Sequence, residues 1–400
     1  MSKIQKVKIS KRSLFKSLSS MGRRQRIIAL SGIVLATGLL GYGGYWVYAS
    51  NNLKAKAETP CLQWTNQIPL QDAINANACT EIQPGTYNVP KPVIIPSRAA
   101  GTIVKGKAGM RESTVLVAAA PWQVTIGDGI LNVLPTSGTL TVNGITFDSN
   151  NVATYSLVAR NMNVDNVVMK NGTCSALGIT GKGVTVTNSV IEKSGFKCGI
   201  TGGVPVGAGI YGEVSPNTDG TFDRFLNPVI KNNLIQDNFG PGMDINGVWG
   251  GTFTGNTVRN NTDWAGVSLY GASYWTVADN TISHPATSSY QKYHPYCAGG
   301  PIGKKSAAIF LCQDTEAYNQ LSNYNTFSNN KASSSYGILV IGADEIKKWY
   351  APRINTFTGN DMTGSYFGCA DDLKIGQWYN DKNTWSGNKC GSKDGQPTRF

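Results

Sequence analysis

The 400-residue chain carries 36 basic and 24 acidic side chains, a net charge of +12, and only two histidines. Nine of the Lys and Arg residues lie in residues 1–26 and two more are Lys54 and Lys56, whereas every Asp and Glu comes after residue 57. The rest of the chain is therefore close to neutral. This argues against nucleic-acid binding, which requires a basic patch on the folded domain.

Residues 27–48 are an uncharged, mostly apolar stretch directly after the basic segment. Their length suits a helix that spans a bilayer, and Tyr45, Trp46 and Tyr48 stand where interfacial aromatics occur. We therefore expect a basic cytoplasmic tail at 1–26, a transmembrane signal-anchor helix at 27–48 and a linker at 49–60. The remainder would lie outside the cell, at the cell membrane. A cleaved signal peptide is the alternative, because Ala55-Lys56-Ala57 has a small-x-small pattern.

The segment that follows the linker carries two short motifs, Pro84-Gly85-Thr86-Tyr87 and Ser113-Thr114-Val115-Leu116. With the surrounding residues 70–96 and 101–117, they resemble the entry to the pectin-lyase-like right-handed β-helix superfamily. In that family a short amphipathic helix caps the first coil, and a P-G-T-Y turn and a T-V-L strand follow. The resemblance covers roughly residues 60–390 and implies the fold. It implies no single activity, because the scaffold carries lyases, hydrolases, epimerases, esterases and adhesins.

An Asn-Thr-apolar triplet recurs along the second half of the chain. With looser copies at Asn166, Asn188 and Asn233, several neighbouring copies lie 22 to 24 residues apart, and the steps of 45 residues indicate two periods or one period with an insertion. Short β-branched runs between Asn and Gly corners predict an all-β fold, a parallel β-helix whose Asn side chains stack as ladders. The triplets begin at Asn256, Asn280, Asn325, Asn355 and Asn383.

The eight cysteines all follow the apolar stretch, which agrees with export to an oxidising compartment. Neighbours are separated by roughly one coil, a spacing that places two cysteines on adjacent coils within disulfide reach. Zinc binding is the weaker alternative, because no C-x-x-C motif occurs. The predicted pairs are Cys61 with Cys79, Cys174 with Cys198, Cys297 with Cys312, and Cys369 with Cys390.

One face of the predicted coil carries the candidate catalytic and binding side chains. We align Ile210, Ile245, Val267, Ile309 and Ile338 as a single inward column, which turns the residues beside them outward. Aromatic rings next to carboxylates and amides suit a sugar polymer, whose C–H groups pack on rings while its hydroxyls form hydrogen bonds. The predicted substrate-binding residues are Tyr211, Glu213, Asn246, Trp249, Tyr270 and Phe310, around Asp244 as the central acid.

Two insertions, at 202–228 and 284–306, flank this face and supply the other candidate catalysts: Asp219, Arg224, His294 and Lys304. The run from Ser215 to Gly220 resembles a polygalacturonase motif that contains a catalytic Asp. Met243, however, stands where that family has a second acid, and its later signatures are missing. A lyase would instead need a base and a cation, such as Ca²⁺, to neutralise a uronate. No calcium-loop or other metal motif is present.

The sequence therefore predicts a membrane-anchored, extracytoplasmic right-handed β-helix of residues 61–400 that acts on or binds a polysaccharide or cell-surface glycan. Three alternatives stay open: a polysaccharide lyase or glycoside hydrolase, a non-catalytic glycan-binding or adhesion module, and a structural stalk.

Overall fold

A computed structural model describes most of the chain after residue 59. The residues described are 60–98, 101–122, 129–133, 138–196, 198, 200–201, 204–205, 207–214, 222–262, 264–285, 306–312, 322–341, 354–371, 382–390 and 398–399. Within these ranges, no helix is long and apolar enough to cross a bilayer. The tail, the expected transmembrane segment at 27–48 and nearly all of the linker lie outside the described residues, so the membrane anchor stays a prediction.

Three parallel sheets make up the described fold, and from β2 to β30 each turn of the chain contributes one strand to each sheet in the order sheet 1, sheet 3, sheet 2. The strands are numbered β1 to β34 in chain order. Sheet 1 contains β1 (Leu62–Trp64), β2 (Cys79–Ile82), β5 (Thr102–Gly106), β8 (Leu140–Asn143), β11 (Met162–Asp165), β14 (Val184–Thr187), β19 (Val229–Lys231), β22 (Gly251–Thr254), β25 (Trp275–Ala278), β28 (Thr326–Ser328), β31 (Thr356–Thr358) and β33 (Thr384–Ser386).

Sheet 2 contains β4 (Val93–Ile95), β7 (Gly129–Val133), β10 (Tyr155–Ala159), β13 (Ser175–Ile179), β18 (Ala208–Glu213), β21 (Met243–Asn246), β24 (Ala265–Tyr270), β27 (Ala307–Cys312), β30 (Tyr336–Ile341), β32 (Cys369–Asp371) and β34 (Thr398–Arg399). Sheet 3 contains β3 (Gly85–Val89), β6 (Thr114–Ala118), β9 (Thr146–Asp148), β12 (Val168–Lys170), β15 (Val190–Glu192), β20 (Leu234–Gln236), β23 (Thr257–Arg259), β26 (Thr281–Ser283) and β29 (Lys331–Ser333). A two-stranded antiparallel pair, β16 (Ile200–Thr201) with β17 (Val204–Pro205), stands apart from the coils.

The core consists of columns of like residues that repeat from coil to coil. In sheet 1, Phe327 stacks on Phe357 with ring centroids 4.9 Å apart, and Phe357 stacks on Trp385 at 3.9 Å. Such contacts follow from parallel pairing in register, which brings the same position of each coil within about 4.8 Å of the next. Each coil therefore depends on its neighbours to bury its apolar face, as expected of a solenoid.

The predicted asparagine ladders are present, but the triplets belong to two corners rather than one. Between sheets 1 and 3, Asn256 donates from Nδ2 to Oδ1 of Asn280 (3.1 Å), and Asn280 donates in turn to Asn330 (2.9 Å). Between sheets 2 and 1, Asn355 donates to Asn383 (3.2 Å). The step from 280 to 325 is thus a change of corner, because the coil partner of Asn280 is Asn330.

The N-terminal end is closed by a short helix, α1 (Leu70–Ala76), which buries Leu70, Ala73 and Ile74 against the first coil. A single 3₁₀ turn, Arg111–Ser113, precedes β6. The helix confirms the amphipathic cap that the resemblance implied.

Disulfides tie neighbouring coils together. Three of the four predicted pairs are confirmed, with Cα–Cα distances of 4.6 Å for Cys61–Cys79, 4.2 Å for Cys174–Cys198 and 4.9 Å for Cys369–Cys390. Cys312 is also disulfide-bonded. Cys297, its predicted partner, lies outside the described residues.

Candidate active site on the outer face of sheet 2

The register of β18, β21 and β24 decides which side chains meet on the outer face of sheet 2. Tyr211 pairs with Asp244, which pairs with Ser268 on the next coil. In the same way, Glu213 pairs with Asn246, and Asn246 pairs with Tyr270. Two outward rows, one starting at Tyr211 and the other at Glu213, therefore run side by side along the coil axis.

The inward column aligned from the sequence is wrong at one position. Met243, not Ile245, pairs with Ile210 and Val267, while Ile245 pairs with Gly212 and Leu269. Both Met243 and Ile245 point into the core, so apolar alternation alone could not distinguish the two registers. The shift of two residues keeps every side chain on its predicted face, but it moves Asp244 beside Tyr211.

Tyr211, Glu213 and Tyr155 form the first part of a polar cluster on this face. The Tyr211 hydroxyl donates to Oε2 of Glu213 at 2.8 Å. On the preceding coil, Gly178 pairs with Tyr211, and a Cβ added to Gly178 would lie 3.1 Å from the ring of Tyr155. The missing side chain thus leaves room for the Tyr155 ring. Burial and the charge of Glu213 raise the pKa of Tyr155 to about 12, and burial with the same charge raises that of Tyr211 well above its ordinary value.

Asp244 is the buried acid of the cluster, with 3% of its surface exposed. Burial raises its pKa to about 7, the Ser268 hydroxyl beside it acts in the opposite direction, and the charge of Glu213 raises it further. Oδ1 of Asp244 and Oδ1 of Asn246 are both buried and have no hydrogen-bond partner in the described part of the chain. Two buried acceptors without donors are costly unless a ligand or water supplies the donors. We call Tyr155, Tyr211, Glu213, Asp244, Asn246 and Ser268 the polar cluster.

Tyr270 and Phe310 do not form the exposed sugar platform that the sequence predicted, and that expectation is wrong. Both rings are buried in a second apolar cluster on the outer side of sheet 2, which also contains Trp264, Tyr336 and Leu339. Tyr336 stacks on Phe367 with centroids 4.7 Å apart. The face is therefore polar near Tyr211 and apolar from Tyr270 onward.

Trp249 belongs instead to a row of rings at the corner between sheets 2 and 1. Phe225 lies 5.2 Å from Trp249 and 5.6 Å from Tyr274, and Tyr274 stacks on Tyr324 at 5.0 Å with an interplanar angle of 8°. We call Phe225, Trp249, Tyr274 and Tyr324 the aromatic strip. Phe225, Tyr274 and Tyr324 are 44%, 45% and 48% exposed. The predicted catalyst Arg224 lies here too, with its guanidinium 5.0 Å from the Phe222 ring and 5.4 Å from the Trp249 ring.

From β19 to β33, the backbone of this corner passes through the left-handed region once per coil. The strand pairing places six residues of these coils at the same position, and all have positive φ: Asn227 (46°), Gly250 (66°), Tyr274 (63°), Tyr324 (59°), Ile354 (59°) and Lys382 (51°). Asn and Gly adopt this conformation readily, whereas bulky and β-branched residues do so at a cost. Tyr274, Tyr324 and Ile354 are therefore exceptional.

Several predicted residues cannot be placed. Asp219, His294 and Lys304 lie outside the described residues, as do most of the insertion at 284–306 and part of that at 202–228. Asp223, in the described part of the insertion at 202–228, forms an ion pair with Lys182 at 2.8 Å. Among the described residues, no group of three or more His, Cys, Asp or Glu is placed to hold a metal. Calcium takes six to eight oxygen ligands. The donor set near Asp244 falls short of that number, and we derive no step through a metal.

Comparison with known proteins identifies the family. Residues 128–283 and 206–368 match the family described as "Right handed beta helix region", and the two matches together cover more than half of the chain. The chain belongs to the right-handed β-helix family. No curated protein sequence matches it significantly.

Solved right-handed β-helix structures are similar at low identity. The Streptococcus pneumoniae surface protein and adhesin PfbA is 14% identical, with 85% of this chain and 99% of that chain covered and a TM-score of 0.48. The A-module of the Azotobacter vinelandii mannuronan C-5 epimerase AlgE6 is 15% identical, with 80% and 93% covered and a TM-score of 0.44. The catalytic domain of a GH87 α-1,3-glucanase is 13% identical, with 83% and 69% covered and a TM-score of 0.37. At this level the likeness concerns the fold alone.

Proposed function

We propose that this β-helix acts on a polysaccharide at the polar cluster, with Asp244 as the acid–base group. The observation that carries the proposal is the meeting of Tyr211, Glu213 and Asp244 on two adjacent coils. There, burial raises the pKa of Asp244 to about 7, and its Oδ1 has no hydrogen-bond partner among the described residues. A group that titrates near neutral pH is suited to donate or accept a proton during catalysis.

Each residue of the cluster has a definite part in this proposal. In a hydrolase, protonated Asp244 would donate to the leaving glycosidic oxygen while water adds to the anomeric carbon and gives up a proton to solvent. In a lyase, ionised Asp244 would accept the C5 proton of a uronate as the C4–O bond breaks and a C4–C5 double bond forms, and the leaving oxygen would take a proton from solvent. Tyr211 stays protonated because its pKa is raised well above its ordinary value, and its hydrogen bond to Glu213 fixes its orientation. The free Oδ1 of Asn246 would accept a hydrogen bond from a sugar hydroxyl. The chemistry is proton transfer at a sugar, as in a lyase or a hydrolase.

A non-catalytic glycan-binding or adhesion module is the second candidate. It is favoured by the burial of Asp244 and by the enclosure of Tyr270 and Phe310 in an apolar cluster, both of which restrict the open polar surface. In this alternative the polar cluster would stabilise the coil, and sugar contact would occur elsewhere.

The location of the domain is part of the proposal. Disulfides between adjacent coils are typical of proteins exposed to an oxidising compartment. With the uncharged segment at 27–48 as a membrane anchor, we propose that the β-helix is displayed outside the cell and meets a cell-surface or environmental glycan.

Turnover by the full-length chain tests the proposal. Polygalacturonate, alginate, dextran and laminarin would each be incubated with wild type, and unsaturated-uronate absorbance and reducing ends would be followed. Asp244→Asn should abolish product formation. Asp223→Asn, an exposed acid in an ion pair with Lys182, is the matched control and should leave turnover unchanged. Equal turnover by wild type and Asp244→Asn would reject the role of Asp244, and binding without turnover would favour the module.

A further inference from the structure

We propose that the aromatic strip is a separate glycan subsite, which holds a chain of pyranose rings beside the polar cluster. The choice of a glycan as ligand rests on the proposed function. The residues of the strip are different ones, and their role can be confirmed or rejected independently of that of Asp244.

The first argument is the backbone at Tyr274 and Tyr324. Both rings stand at a position where preceding coils have Asn227 and Gly250, the residue types that adopt positive φ with least strain. Asn would serve the fold better at both positions. Two stacked aromatic rings held there at a cost in stability favour a role other than folding, since strain of this kind concentrates at functional sites.

The second argument is how the rings meet solvent. Tyr274 and Tyr324 stack on each other, and nearly half of each side chain is exposed. Trp249 is tilted by 62° to Tyr274 and by 83° to Phe225. The result is a corrugated, partly exposed aromatic surface. Sugars fit such a surface, because they combine C–H faces with hydroxyl groups.

A glycine lies on the coil between these rings. Gly250 occupies the Tyr274 position on the coil of Trp249, and a Cβ there would clash with Oδ1 of Asn227 and would touch Cδ1 of Phe225 at 3.4 Å. Across this coil, the Phe225 ring lies 5.6 Å from the Tyr274 ring. The strip therefore extends over four coils along the axis.

The third argument is continuity with the polar cluster. Only Gly247 and Val248 separate Trp249 from Asn246, and the Trp249 indole Nε1 donates to the carbonyl of Gly271, the residue directly after Tyr270 (3.3 Å). A polymer bound at Asn246 would thus cross the corner onto the strip. This continuity favours a glycan over a protein partner, although Tyr, Trp and Arg are also common in protein interfaces.

Affinity electrophoresis and calorimetry with the full-length chain test the proposal, with dextran, laminarin, alginate and polygalacturonate as probes. The test variant is Tyr274→Asn/Tyr324→Asn, which removes both rings but keeps residues that favour positive φ. The control is Tyr366→Asn, an aromatic that is 83% exposed and lies outside the strip. We expect the double variant to bind the preferred polymer at least tenfold more weakly, while the control binds like wild type.

Two results would overturn the proposal: wild-type affinity in the double variant, or no binding of any of the four polymers by wild type. The strip would be assigned to a protein partner instead if wild type bound no polymer but captured a protein that the double variant did not capture. Asp244→Asn separates the two proposals. If this substitution abolishes turnover while polymer affinity persists, the catalytic site and the strip are distinct. If the double variant shows that the strip does not bind glycan, turnover of short oligosaccharides still tests the role of Asp244.

Discussion

Tyr211 and Asp244 lie side by side on neighbouring coils, both facing away from the core of the β-helix. Their pairing places a buried acid next to a phenol that is itself hydrogen-bonded to Glu213. The charge of Glu213 disfavours ionisation of both Tyr211 and Asp244, in addition to the effect of burial. Because the pKa of Asp244 is raised in the folded protein, the stability of the fold should depend on pH.

Asp244→Asn should change how stability depends on pH. The pKa of Asp244 is about 7 in the folded protein, against about 3.9 for an unfolded chain. The folded state thus holds a proton that the unfolded state has lost between these values, and stability falls as pH rises through that window. The free energy of unfolding lost by wild type across this window is on the order of 4 kcal/mol.

Chemical denaturation at pH 4 and pH 8 checks this sign. Wild type should lose free energy of unfolding from pH 4 to pH 8 as the carboxyl ionises. Asp244→Asn has no carboxyl at this position, so its free energy of unfolding relative to wild type should be higher at pH 8 than at pH 4. Asp223→Asn should show no such gain. A parallel pH dependence for wild type and Asp244→Asn would show that Asp244 titrates normally.

Ile354→Asn should stabilise the protein. Ile354 is β-branched, exposed and held at φ 59°, in a column where Asn227 occupies the same position on an earlier coil. Relief of left-handed strain should raise the free energy of unfolding by about 1 kcal/mol. Thermal denaturation measures the change, and Ile68→Asn, at an exposed position outside the column, serves as the control. A lower melting temperature for Ile354→Asn would mean that the side chain makes compensating contacts.

Asn280→Ala should destabilise the coil strongly. Asn280 donates to the carbonyl of Phe253 (2.9 Å) and to Asn330 (2.9 Å), and its Oδ1 accepts from the backbone and side chain of Asn256 (2.8 Å and 3.1 Å). Its loss leaves several buried groups unsatisfied, at about 1–3 kcal/mol each. Urea unfolding should show a loss of at least about 3 kcal/mol. Thr276→Ala, on the solvent side of β25, should cost far less, and equal costs would contradict the ladder.

Ile245→Asn should be more damaging still. The side chain is fully buried in the core, between Gly212 and Leu269 of the adjacent coils. An amide there has no partner, so we expect a loss of about 4 kcal/mol or more, compared with about 1 kcal/mol for the control Ile245→Val. Thermal melts of both variants measure the effect. An unchanged melting temperature for Ile245→Asn would place Ile245 outside the core.

Much of the fold could be predicted from the sequence because its signals are local and repeated. Asn256 and Asn280 marked a corner, and the cysteine spacing matched the coil closely enough to give three confirmed disulfides. The register of β21 could not be predicted. Met243 and Ile245 are both apolar and both point inward, so either could be matched to Ile210.

The site was only partly predictable for a different reason. Tyr211, Glu213, Asp244 and Asn246 were expected on one face and do meet there, but Tyr155 joins them from an earlier coil with no motif to mark it. The aromatic strip had a signal that could have been used. Tyr324 and Ile354 stand directly before the Asn of two triplets, at a position where Gly and Asn precede them on other coils. Tyr274 is exposed whereas Tyr270 is buried, and this difference depends on tertiary packing alone.

The pH profile of polysaccharide turnover by wild type, compared with that of Asp244→Asn, decides whether Asp244 is the acid–base group. Wild type should release unsaturated uronate or reducing ends from at least one of the four polymers, with an inflection near pH 7 that follows Asp244. Asp244→Asn should bind the same polymer and release nothing at any pH. Turnover by the variant with the same inflection would contradict the account.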